Sequence, residues 1–176
     1  MATRKPQVRR QACRCQISIP LRAYTLEEVS QWTLHHARRV SHASLGNVQL
    51  IDWTVGYLEI VACQGFSDEF LHCFRRVSQL DGSACGRALL LRRTVAIADV
   101  LEDDSFASYR GVAERAGFRA VQSTPLLSSS GALCGVVSTH SMQTGRLTDQ
   151  QLCALEDVAA RAANRIIRLK SVGVSH

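Results

Sequence analysis

Apolar positions along this chain change their period several times, and each change marks a predicted element. From Leu26 onward they recur at spacings of three and four, with Leu26, Val29, Trp32 or Thr33, Ala37, Val40 and Ala43 forming a narrow stripe. That spacing predicts an amphipathic helix over residues 25–43. Thr25, with Glu28 three residues on, forms the capping box that should start it. After Gly46 the period falls to two. Val48 and Leu50, then Leu58, Ile60 and Ala62 beyond a turn at Asp52–Gly56, alternate with Gln49, Glu59 and Val61. This alternation predicts a β-hairpin.

Ser67, followed by Asp68 and Glu69, is a helix N-cap with acidic residues in the first turn. The helix it starts carries Phe70, Leu71, Phe74 and Val77 and should end near Ser78. Asp81 to Leu89 is predicted as a glycine-containing loop entering a one-to-two-turn helix, and Val95–Ile97 as a brief strand. An acidic loop at 99–107 leads to a short helix from Tyr109 to Ala116, stopped by Gly117. Two strands at 120–127 and 133–140 flank the hairpin turn Ser128-Ser129-Ser130-Gly131. Thr148 should cap a final helix whose apolar face runs from Leu152 to Leu169 and ends near Lys170, about 35 Å long at 1.5 Å rise per residue. That length exceeds what the core needs and suits pairing with a partner helix.

Composition narrows the class. The 176 residues are 46% hydrophobic and 20% charged, as in an ordinary folded domain. The formal charge of +6 is uneven: residues 1–22 hold Arg4, Lys5, Arg9, Arg10, Arg14 and Arg22 and no acid, while residues 23–176 hold 15 Lys and Arg against 15 Asp and Glu. The excess is therefore a basic tail, read as a solvated extension at 1–22, ahead of one domain at 23–171 and a short tail at 172–176. A basic tail can meet a polyanion only without sequence readout, so nucleic acid is not the expected partner. No apolar run is long enough to span a bilayer and no signal-peptide pattern opens the chain, so a cytoplasmic location and no membrane contact are expected. The 7 cysteines are scattered, and Cys13-Arg-Cys15 lacks zinc-site spacing. No metal site is expected.

The strings Gly46-Asn47-Val48-Gln49-Leu50, Ala62-Cys63-Gln64-Gly65-Phe66, Asp81-Gly82-Ser83-Ala84-Cys85-Gly86-Arg87-Ala88-Leu89 and Val95-Ala96-Ile97-Ala98-Asp99-Val100 stand in this order. Gly117-Phe118-Arg119-Ala120-Val121-Gln122-Ser123-Thr124-Pro125-Leu126 and Gly135-Val136-Val137-Ser138-Thr139-His140 follow. In order and spacing they resemble the GAF domain over about residues 25–170, in the form found ahead of bacterial histidine-kinase cores. The resemblance implies an α/β (α+β) fold with an antiparallel sheet of five or six strands. The terminal helices would lie on one face, and short helices and loops would cover a pocket on the other. It also implies a sensory or regulatory domain of signal transduction that binds a small molecule and works as a homodimer through helices 25–43 and 148–170. With the sequence ending at His176, output is expected to come from a signalling partner or from the dimer itself.

Fold analogy names no ligand, and the cofactor stays unknown. The cyclic-nucleotide set of some GAF domains is not found, and Tyr109–Glu114 lacks the cysteine that bilin attachment needs. Free methionine-(R)-sulfoxide reductase shares the scaffold, and Cys85 matches one of its cysteines. The position of its attacking thiolate falls in Asp104–Ser108, which has no cysteine, so no catalytic residue is assigned. Cys85 at a helix start reads either as a redox-sensitive thiol of depressed pKa or as a small buried residue. His140 shares strand parity with Cys134, Val136 and Ser138 and reads as a core or rim histidine or as a haem ligand. The expected pocket residues are Phe66, Phe70, Phe74, Phe106, Tyr109 and Phe118, with Cys85, Gln122, Ser138 and His140. The same aromatic residues could instead simply form a second core. The alternatives to a ligand sensor are a protein-interaction module with a filled pocket and a thiol-dependent redox enzyme using Cys85.

Overall fold

The structure, a computed structural model, describes residues 25–172, so the basic tail expected at 1–22, with Cys13 and Cys15, and residues 173–176 lie outside the described residues. Helix α1 spans Leu26–Ser41, and its start is the capping box read from the sequence: Glu28 N donates to Thr25 Oγ1 at 3.2 Å and Thr25 N to Glu28 Oε2 at 2.8 Å. It stops at Ser41, short of the expected Ala43, because His42 turns left-handed at φ 53 and closes the helix end on Arg38 and Arg39 carbonyls. Five strands follow in the chain, β1 (Leu45–Asp52), β2 (Tyr57–Gln64), β3 (Val95–Ile97), β4 (Ala120–Leu127) and β5 (Leu133–Ser141). They form one antiparallel sheet in the order β2-β1-β5-β4-β3.

Between β2 and β3 lie α2 (Asp68–Cys73) and α3 (Ala84–Leu91). Ser67 and Ser83 cap them, accepting from Phe70 N and Gly86 N. Helix α2 is shorter than the expected run to Ser78. Val77 pairs with Leu58 in an antiparallel bridge, with N···O distances of 2.9 and 3.2 Å, and this extended contact takes the chain out of the helix. A 3₁₀ turn at Asp104–Tyr109 leads into α4 (Arg110–Ala116), which ends at left-handed Gly117. The last helix, α5 (Asp149–Val172), opens on Thr148, whose Oγ1 accepts from Gln151 N at 3.2 Å. No helix among the described residues is long and apolar enough to cross a membrane.

Two cores flank the sheet. On one face α1 and α5 pack together, with Leu34, Ala37, Leu155 and Ile166 meeting Val48, Leu50 and Val137. On the other, α2, α3, the 3₁₀ turn and α4 lay Phe70, Phe74, Ala88 and Phe106 over Ile51, Leu58, Val121 and Val136. With both faces covered, β1, β4 and β5 are buried almost throughout.

Two bulges alter the face assignments that strict alternation gives. Val48 pairs with Ala62 and Gln49 with Ile60, leaving Val61 as the extra residue. Ala62 consequently joins the helical core, while Leu58 and Ile60 face the other layer. Likewise Leu126 pairs with Gly135 and Leu127 with Leu133, so Cys134 is extra. It enters the α1–α5 core, on the face opposite Val136, and does not share the side of His140.

Candidate functional site

The layer opposite the terminal helices encloses a small cavity between β1, β4 and β5 below and α2, α3 and the 3₁₀ turn above. Asn47, Gln49, Val121, Ser123, Ser138 and His140 form its floor, and Phe70, Phe74, Ser83, Ala84, Cys85 and Phe106 its roof. The sheet register brings the polar floor together. Asn47 lies opposite Ser138 on β5, and Ser138 lies opposite Ser123 on β4, giving one row across three strands. Gln49 and His140 stand two residues along from Asn47 and Ser138, on the same face. All five side chains are buried, at 0 to 4% exposure.

This polar row is incompletely paired. Ser123 Oγ and Ser138 Oγ are 2.7 Å apart, and Gln49 Nε2 donates to Phe74 O at 3.4 Å. Asn47 Oδ1, Gln49 Oε1 and His140 Nδ1 have no hydrogen-bond partner among the described residues. Each such atom, closed off from water, costs about 1–3 kcal/mol relative to a satisfied group. Apolar side chains at these positions would avoid that cost. The space left between floor and roof is about 10 Å³, room for one water molecule.

Charge is absent from the lining, and the titratable groups there are held neutral. His140 is ringed by Phe66, Phe70 and Phe118, at centroid distances of 4.9, 5.9 and 4.6 Å, and burial pushes its pKa down to about 3. Cys85 does not have the depressed pKa that a helix start can give. Burial raises it to about 11, outweighing the Ser83 hydroxyl 3.3 Å from its sulfur. Tyr109, behind the roof against Phe74 and Phe106, is raised to about 12, first by burial and then by Asp81, Cys73 and Cys85. Asp81 belongs to the loop below α3, where its carboxylate accepts from Ser83 Oγ at 2.6 Å and from Ser83 N and Ser78 N.

Phe70, Phe74, Cys85, Phe106, Ser138 and His140, all expected at the pocket, line the cavity. Phe66, Tyr109 and Phe118 stand behind that lining: Phe66 stacks on Phe70 at 3.6 Å, Tyr109 lies against Phe74 and Phe106, and Phe118 meets His140 edge-on. Gln122 is elsewhere. It alternates with the lining residues Val121 and Ser123, pairs with Thr139 and faces the α1–α5 side. Asn47, Gln49 and Ser123 were missed because nothing in the text of β1 or β4 shows that both faces of each strand are covered.

A larger groove of about 640 Å³ lies along the free edge of β2, between Gln31 of α1 and Leu71 and His72 of α2 with Arg75 just beyond it. It is open and mixed in character, and the unpaired buried polar atoms do not lie along it. The enclosed layer is therefore the better candidate site. Among the described residues no group of three or more His, Cys, Asp or Glu could hold a metal ion.

A five-stranded antiparallel sheet with its terminal helices on one face and an aromatic-roofed, polar-floored pocket on the other defines a distinct class of α+β domains. The chain belongs to the GAF domain family, whose model matches residues 25–166. Among solved structures it is similar to a domain of a putative two-component sensor histidine kinase from Sinorhizobium meliloti, with 18% identity, TM-score 0.67, and coverage of 85% of this chain and 95% of that one. The GAF domain of a phosphoenolpyruvate-protein phosphotransferase from Coxiella burnetii is also similar, with 14% identity, TM-score 0.73, and coverage of 86% and 88%. A free methionine-R-sulfoxide reductase from Neisseria meningitidis, solved with its substrate, gives 18% identity, TM-score 0.62, and coverage of 84% and 87%. Comparison with curated proteins gave no match.

Proposed function

We propose that this GAF domain is a sensory module of signal transduction that takes a small molecule between the sheet and α2–α3 and dimerises through α1 and α5. The observation that carries the ligand half is the buried row Asn47–Ser138–Ser123 with Gln49 and His140, placed in a layer otherwise built mostly of apolar side chains. Polar groups placed in this way inside an apolar wall are the usual means of fixing a ligand. The dimer half is supported by α5, whose 24 residues run beyond the sheet's need, and by its packing along α1, which joins both ends of the domain in one layer. In such a domain, occupancy of the pocket reaches a partner through the paired terminal helices.

A second reading is favoured by one observation. The pocket holds only about 10 Å³ of free space, as a protein-interaction module with a filled second core would. Native mass spectrometry of the full chain, purified without refolding, separates the two. The sensor reading expects a dimer that carries a discrete non-covalent mass or acquires one from a metabolite extract. A bare protein, unchanged by any extract, would overturn it in favour of the interaction module.

A further inference from the structure

The chemistry of the polar row goes further than the presence of a ligand, because it restricts what that ligand can be. None of the twelve lining residues is Asp, Glu, Lys or Arg. The carboxylates close in sequence are engaged outside the cavity: Glu69 pairs with Arg115, Asp104 is exposed beside Arg110, and Asp81 accepts from Ser78 and Ser83 within its own loop. An ion entering this layer would lose its hydration and find no counter-charge, a penalty far above that of a neutral polar group. Burial also keeps His140 from acting as a cation for a carboxylate or phosphate.

The free hydrogen-bonding atoms set the complement. Gln49 Nε2 is fixed on Phe74 O, which leaves Oε1 as an acceptor, since the flipped amide would set two oxygens against each other. Asn47 supplies a second amide with its Oδ1 open as an acceptor, and turning that amide over would present Nδ2 as a donor, which the oxygen of a carboxamide guest also matches. One hydrogen bridges the Ser123–Ser138 pair, so one hydroxyl hydrogen of the pair is left over as a donor. Neutral His140 offers its open Nδ1 as donor or acceptor, according to tautomer. Two acceptors and a donor on one floor fit a guest that presents two donor hydrogens and one acceptor oxygen side by side. Phe70, Phe74 and Phe106 roof the same space with flat apolar surface.

We propose that the pocket recognises a compact uncharged molecule of the carboxamide or urea class, its polar end read by Asn47, Gln49, Ser138–Ser123 and His140 and its apolar part covered by Phe70, Phe74 and Phe106. This rests on the pocket being the ligand site, as proposed above. Because the present space admits one water, the guest enters with outward movement of α2, the six-residue helix that carries Phe70 and is capped by Phe74.

The test uses isosteric neutral, anionic and cationic probes on the full chain: acetamide and benzamide, acetate and benzoate, ethylammonium and benzylammonium. Calorimetric titration and thermal melts are expected to show binding of a carboxamide at least about tenfold tighter than of its charged counterparts. The His140 ring resonances should shift only with the carboxamide. Ser138→Ala is expected to weaken carboxamide binding by about tenfold while its melting profile shows the fold intact. Asn47→Leu should abolish the binding. Charged probes binding as tightly as neutral ones would overturn the proposal, as would carboxamide affinity unmoved by Ser138→Ala. If no carboxamide binds, the class assignment falls. In that case a charged molecule retained in the native mass spectrum would leave the pocket reading standing, whereas bare protein there would remove both.

Discussion

Arg87 of α3 holds Asp103 across the roof of the pocket, its Nη1 lying 2.9 Å from Oδ1 and 3.0 Å from Oδ2 of the carboxylate. The same Oδ1 accepts from Phe106 N at 3.0 Å, so the ion pair fixes the 3₁₀ turn that puts Phe106 over the cavity. Both side chains are about three-quarters covered, at 29% and 22% exposure, which makes the pair worth more than a fully solvated one. Arg87→Ala is expected to lower stability by about 1 kcal/mol, a fall in Tm of about 2–4 °C for a domain this size. Amide exchange at residues 104–109 should accelerate more than elsewhere. Unchanged exchange there would mean that burial of Phe106 alone holds the turn.

His140 gives the domain an acid-side dependence whose sign follows from its neutral burial. In the folded chain it takes up a proton only near pH 3, whereas in the unfolded chain it does so near its ordinary value of 6.5. Between those values the unfolded state binds the extra proton, so stability falls as pH falls below about 6.5, by up to about 1.4 kcal/mol per unit. His36 is lowered as well, first by burial and then by His35 and Arg39, and it adds a smaller slope of the same sign. The informative quantity is therefore the difference between wild type and His140→Phe in chemical denaturation from pH 7 to pH 5. The wild type should lose stability more steeply, and equal slopes would place His140 in contact with water.

Gly135 sits where β5 re-enters register after the Cys134 bulge, directly opposite Leu50. A Cβ added there would lie 2.1 Å from Gln49 O and 3.1 Å from Leu50 Cα, both backbone atoms of the central strand. Neither can yield without moving β1, which carries Asn47 and Gln49 in the pocket floor. Gly135→Ala is expected to cost about 2–4 kcal/mol, at the high end for a single methyl group. A loss under 1 kcal/mol would show that β1 and β5 separate more easily than their packing implies.

How far the sequence disclosed this arrangement depended on whether the relevant signal was local. Thr25 with Glu28, Ser67 and Gly117 mark helix ends by chemistry confined to a few residues, and each acts in the structure as its spacing implies. Val61 and Cys134 show the opposite case. A bulge is set by how two strands align, so nothing in either strand's own text shows that Ala62 and Cys134 change faces. The same limitation concealed the polar floor. Asn47 and Gln49 alternate with apolar neighbours as a solvent-facing set would, and only the placement of β1 in mid-sheet, with a second layer above it, turns them inward. His140 and Ser138 were found because they fall beyond the bulge, where counting by twos holds again. Gln122 was misplaced by one residue of parity, and its neighbour Ser123 takes the position in the row.

Cysteine reactivity tests the burial assignments most directly. Burial lifts Cys85 to about 11 and Cys134 to about 12, so that at pH 8 Cys85 exposes about a hundredfold less thiolate than a thiol at the usual value near 9. Both residues are also buried, at 8% and 3% exposure, whereas Cys63 and Cys153 are only partly covered. Labelling the native protein with a thiol reagent and mapping the modified peptides should show Cys63 and Cys153 reacting in the early phase. Cys134 should react only at the rate of unfolding, and Cys85 only as slowly as the roof over the pocket opens. Denaturant should abolish the difference. Rapid native labelling of Cys85 would mean that the roof over the pocket opens freely, and it would return a reactive thiol at α3 to consideration.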